Sequence, residues 1–236
     1  MVNDAITNAD LATPGGLRVA ENPEVALALS YATVAERAGL RALIELDDTL
    51  AAVLRGGGEA MLMQMRLVWW RDALAALDAK PAPAVPMLVE VARTLLPAGV
   101  SGAKLAEMAS GWEIVLTDPD LEEAALQSFA RQRGGALFAA AARLLSTQVS
   151  EEAGQGWALV DLARHVTDRA IAERALALAR PMLARAMARR LPERGRALSA
   201  LTLLAAMDAR VPLDRPIPHG APRRVLRLAW HRISGR

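Results

Sequence analysis

Along most of this chain apolar residues return every third or fourth position, the period of a helix, and hardly anywhere do they alternate like a half-buried strand. Asn22 followed by Pro23 reads as a cap and first turn. Thr33-Val34-Ala35-Glu36 is a capping box. Behind it Leu40, Leu43, Leu46 or Asp47, Leu50 and Val53 fall on one stripe, which Gly56-Gly57-Gly58 ends. A third helix is expected over 59–79, and its segment from Met61 to Trp70 is apolar on nearly every side, which predicts a helix enclosed by others. Prolines at 81, 83 and 86 make the next turn. Further helices are expected over 86–96, 102–116 behind the cap Ser101, 119–146, 151–178, 181–191, 193–208 and 222–232. The 119–146 helix takes Asp118 as its cap and Pro119 as its first residue, with a bend near Gly134-Gly135. Short connections predict antiparallel neighbours, and the fold class is all-α.

Composition narrows the chemistry. A length of 236 residues, 53% of them hydrophobic, suits a flexible N-terminus over 1–21 and a single helical domain over 22–236. The absence of cysteine removes disulfides, thiolate metal sites and cysteine nucleophiles. The opening MVNDAITNADLATPGG carries acids and no apolar core, unlike a secretory signal, and no apolar run has the length of a membrane span, so a soluble, cytoplasmic protein is expected. Aromatics make up 3% of the chain, so the adjacent Trp69 and Trp70 stand out. They lie about 100° apart around a helix, which predicts at least one in the core and the other either in the core as well or lining a cavity with Met65. Met61 and Met63 suit the same greasy surroundings.

The net charge of +2 hides an uneven distribution, because residues 180–236 are rich in arginine and poor in acids. Lysine is confined to Lys80 and Lys104, so part of this is composition bias. The basic C-terminal helices are nonetheless candidates for peripheral contact with an anionic membrane surface. Nucleic acid is not expected as a partner, since Trp230 is the one aromatic among those arginines. No P-loop, dinucleotide-binding or nucleophile-elbow motif is present.

The helix QMRLVWWRDAL, the proline-broken turn, the helix ending in GWEIVL and the stretch RQRGGALFAAAARLL follow one another in an order and spacing that resemble the squalene/phytoene synthase family. The likeness covers about residues 30–230 and is nearest to the divergent bacterial branch related to the mitochondrial complex I assembly factor of that superfamily. The resemblance implies an isoprenoid-synthase-like helical bundle around a central apolar cavity. It also implies prenyl diphosphate chemistry with Mg²⁺ held by aspartates on two facing helices. Such chemistry needs carboxylates at helical spacing to gather a hard cation, and a dry apolar space for the carbocation.

Against the family's motifs, this chain departs. On the first motif helix, LIELDDTLAAVL, Ala51 and Ala52 stand where the resemblance puts paired aspartates, leaving Glu45 and Asp48 as an i, i+3 pair. In the second motif, DLARHVTDR, Arg164 and Asp168 match while His165 and Arg169 replace aspartates. Imidazole is a poor magnesium ligand and guanidinium repels the ion. The resemblance therefore implies a degenerate, non-catalytic member serving as an assembly or scaffold factor or prenyl-lipid binder, with no cofactor. The alternative is a working prenyl transferase with a rearranged Mg²⁺ site. The candidate polar site is Glu45, Asp48, Asp161, Arg164, His165 and Asp168. Asp161, His165 and Asp168 are spaced to share one helix face, with an Asp161–His165 contact expected there. For His219 and His231 the sequence offers no partner.

Overall fold

The structure is a computed structural model describing residues 22–235, and among these it is helical with no strand. The expectation for residues 1–21 lies outside the described residues. Asn22 caps α1 (Pro23–Leu29), its side chain accepting from the Glu24 and Val25 amides. The capping box of Thr33 and Glu36 opens α2 (Val34–Arg55) as its sequence requires. There follow α3 (Ala60–Ala76), α4 (Pro86–Thr94) and α5 (Gly102–Thr117). Both Ser101 and Asp78 serve the N-terminus of α5, the Asp78 carboxylate accepting from the Gly102 and Ala103 amides at 2.6 and 2.9 Å. A Cβ on Gly102 would lie 2.1 Å from the Leu74 carbonyl oxygen, so glycine there lets α5 start directly against α3.

The predicted 119–146 helix is α6 (Glu123–Phe129), a π-helical turn over Ala130–Gly135 and α7 (Ala136–Leu144) in unbroken succession. It begins later than Pro119 because Leu121 takes a positive φ, and Asp118 accepts from the Leu121 amide instead of capping a helix. Downstream come α8 (Glu151–His165) and α9 (Arg169–Ala188). The predicted division into 151–178 and 181–191 is thus displaced. Val166 is extended and Asp168 caps α9 through the Ala170 and Ile171 amides, whereas Pro181 sits inside α9. The proline's missing amide is outweighed by packing on both sides of it, where Ala179 and Leu183 are buried and Leu183 fits against Gly156. The chain finishes with α10 (Arg196–Asp208) and α11 (Pro222–Ser234).

The core runs along α5, α8 and α10, with α3 on α5 and α9 on α8, α2 between α4 and α7, and α1 and α11 against α10. Every residue of α10 from Ala197 to Ala205 is buried. The enclosed helix is therefore α10 and not α3, which buries only Leu67 and Leu74. No helix among the described residues is long and apolar enough to cross a membrane.

Candidate functional site

Asp47 lies on the apolar stripe of α2, between Leu43 and Leu50, and is carried into the core with them. Facing it, the π-helical turn delivers Arg133, a fully buried side chain. Arg133 binds Asp47 in bidentate fashion, Nε donating to Oδ1 at 2.9 Å and Nη2 to Oδ2 at 2.7 Å. The same Nη2 stands 2.6 Å from Oδ2 of Asp161 on α8. Trp112 of α5 adds an indole N–H to Asp47 Oδ1 at 3.0 Å. The guanidinium also lies over aromatic rings, 4.2 Å from the Trp112 centroid and 4.9 Å from that of Trp157. One cation thus joins α2, α5, the π turn and α8.

Glycines make this approach possible. A Cβ on Gly134 would sit 2.0 Å from the Gly154 carbonyl oxygen, and one on Gly111 would sit 2.8 Å from the Arg133 nitrogen. The π turn therefore lies backbone to backbone on α8 and on α5. A π turn inside a helix rotates the residues that follow.

Electrostatics follow from this enclosure. Burial works against the charge on Arg133, but Asp47 and Asp161 outweigh it and hold the guanidinium protonated more firmly than usual. Burial likewise pushes Asp161 up, yet the charges of Arg133 and His165 and the Arg133 hydrogen bond leave its carboxyl below the ordinary range. Asp48 differs: burial first, then the neighbouring charges of Asp47 and Asp161, push it up to about 7, with Arg55 and Arg133 opposing.

Of the sequence-derived candidates, Asp48, Asp161 and His165 come together. His165 Nδ1 lies 2.7 Å from the Asp161 carbonyl oxygen and 3.4 Å from its Oδ1, the contact expected from their spacing. Others are elsewhere. Glu45 is exposed, so it does not pair with Asp48 around an interior ion. Asp168 is exposed and occupied as the α9 cap; with α8 ending at His165 it does not share a face with Asp161. The Arg164 guanidinium turns to the C-terminal end of α10, where it donates to the carbonyls of Asp208, Val211 and Pro212. Met65 and Trp69 face solvent and do not line an interior cavity, while Trp70 is half-buried and packs against the core, as expected of at least one of the pair. The correction has a simple cause: α3 packs mainly on α5, and its outward face has no neighbour among the described residues to cover it. His219 and His231 do have partners, Glu24 at 3.4 Å and the Ser199 hydroxyl at 2.7 Å respectively.

A cavity of about 670 Å³ opens between α8, α9, α10 and the loop before α11. Trp157, Leu201, Leu204 and Ile217 give it apolar walls, while Asp161, Arg164, His165 and Arg215 supply polar ones. Such a volume lies within the roughly 300–1,000 Å³ typical of small-molecule sites. Residues missed in the sequence are Asp47, Arg133, Trp112 and Trp157. Arg133 had a signal, since its i−4, i−3, i+3 and i+4 neighbours are Phe129, Ala130, Ala136 and Leu137, all apolar. Comparison of the chain with family models, with curated proteins and with solved structures returned no match.

Proposed function

We propose that this chain is a squalene/phytoene synthase-like bundle of isoprenoid-synthase type that does not transfer prenyl groups and works as an assembly or scaffold factor. Arg133 carries the reading. It is a permanent cation between carboxylates of α2 and α8, the two helices on which the family resemblance would place magnesium-binding aspartates. Asp47 and Asp161 are committed to it, and stacking on Trp112 and Trp157 holds it there. A diphosphate with its magnesium ions would have to displace a buried side chain already paired with both carboxylates. The rearranged magnesium site fares no better, because Glu45 and Asp168 do not converge with Asp48 and Asp161. The exposed Met61, Leu62, Met65 and Trp69 of α3 provide apolar surface of the kind partner-binding proteins present.

The test is incubation of the purified protein with farnesyl or geranylgeranyl diphosphate and magnesium. Neither pyrophosphate nor a coupled product is expected, and magnesium should leave the melting temperature unchanged. A coupled product overturns the reading. A second role, holding a prenyl lipid, is favoured by the half-apolar cavity beside α8. In that case farnesol should bind and Leu204→Trp, which fills the cavity wall, should abolish binding.

A further inference from the structure

Helix α11 is held to the bundle by one face and bares the opposite one. Arg224, Leu228 and His231 are buried. Arg224 is locked to Glu24 of α1 at 2.7 Å and to Asp208 of α10 at 2.7 Å, and His231 meets Ser199. Arg196 reaches the C-terminal end of the helix and donates to the carbonyls of His231 and Arg232. At about 100° per residue, Leu226, Trp230 and Ile233 project on the far side from these anchors. They are 69%, 59% and 77% exposed, with Val225 and Ala229 beside them. Arg232, whose guanidinium lies over the Tyr31 ring at 5.4 Å, borders this stripe on one flank and Arg223 and Arg227 on the other, and α11 contains no acidic residue. Near its C-terminal end another cavity, of about 320 Å³, is lined among the described residues by Arg189 and Arg190 with His231 and Gly235.

We propose that this face of α11 lies on an anionic lipid bilayer, with Leu226, Trp230 and Ile233 entering the headgroup region and Arg223 beside them meeting lipid phosphates. The pattern is that of an interfacial helix: strongly two-sided, leucine and tryptophan on one face, arginines bordering it, and too short and too charged to span. Charge selects this occupant over a second copy of the chain. A two-fold pairing of the face would set arginine rows against arginine rows, whereas an anionic surface neutralises them.

The experiment is vesicle co-sedimentation of the full chain at physiological salt, comparing phosphatidylcholine alone with phosphatidylcholine containing about a third phosphatidylglycerol. Binding to the anionic vesicles is expected, at least tenfold above the neutral ones and falling with added salt. The triple variant Leu226→Ser, Trp230→Ser, Ile233→Ser should lose at least tenfold while keeping the parent's circular dichroism. As a second readout that needs no stable triple variant, vesicles with brominated acyl chains should quench tryptophan emission in the parent and not in Trp230→Phe. Equal binding to both vesicle types, no binding, or quenching that survives Trp230→Phe overturns the proposal. So does a parent dimer in solution that the triple variant converts to monomer.

Discussion

At the scale of the residue, Arg133 and Asp48 represent opposite outcomes for a charge taken out of water. Arg133 is compensated by two carboxylates and stacked rings, so its worth is best seen by removing it. Arg133→Met leaves Asp47 and Asp161 buried together without a cation, and the expected loss is about 3–5 kcal/mol in urea unfolding at pH 7. The loss should shrink toward pH 4, as the stranded carboxylates take up protons. Arg133→Lys should not rescue, because an ammonium cannot reproduce the bidentate grip on Asp47. For Asp48 the charges of Arg55 and Arg133 do not outweigh burial and the two neighbouring carboxylates. Its folded carboxyl is pushed up to about 7 from the ordinary 3.8, so between those values the folded state holds a proton that the unfolded chain has released. Stability then falls as pH rises through this window. Asp48→Asn should be more stable than the parent at pH 8 and about equal to it at pH 4, read as melting temperatures at both.

At the scale of the element, the caps explain why so much of the helix pattern was legible. Asn22, Thr33 with Glu36, and Ser101 act as caps because their side chains answer amides a few residues away, which is local information. Pro181 misled because its tolerance inside α9 depends on the packing of Ala179 and Leu183. The apolar circumference of α3 misled for the same kind of reason, since periodicity records what a helix can bury and not which neighbours arrive. The candidate site was half legible. Asp47 and Arg133 each interrupt an apolar helical face, and two opposite charges so placed must meet if both faces are buried. That Asp161 completes them depends on a π turn whose register no spacing rule conveys. The turn's closeness to α8 yields its own prediction. Gly154→Ala would set a methyl group 2.2 Å from the Gly134 carbonyl oxygen, so the two segments must part. A loss of at least about 2 kcal/mol is expected, with faster hydrogen exchange in 130–135 than in α2.

At the scale of the whole molecule, the first and last described helices are tied together over α10 by one buried network. Glu24 of α1 accepts from the Arg224 guanidinium at 2.7 Å and from the Gly220 amide at 3.0 Å, and Arg224 reaches on to Asp208. Burial alone would raise the Glu24 carboxyl, but the Arg224 hydrogen bond, the Gly220 amide and the Arg224 charge hold it below its usual 4.5. The sign is therefore opposite to that of Asp48. The stabilisation is fully present above 4.5 and is lost as pH falls through the depressed folded value. Asp208 is raised, burial outweighing Arg224, so it does not share that acid loss. Glu24→Gln keeps the shape but removes a charged partner of Arg224, at an expected cost of about 2 kcal/mol at pH 7. As pH falls below 4.5 the difference between variant and parent should shrink, because the parent's carboxyl is progressively neutralised too. Amide exchange would locate the effect: α1 and α11 should open sooner in the variant while α8 keeps its protection, as befits a clamp on the periphery of an intact core. Equal exchange in α11 of the two proteins would show that the helix is held by Leu228 and His231 without the charge network.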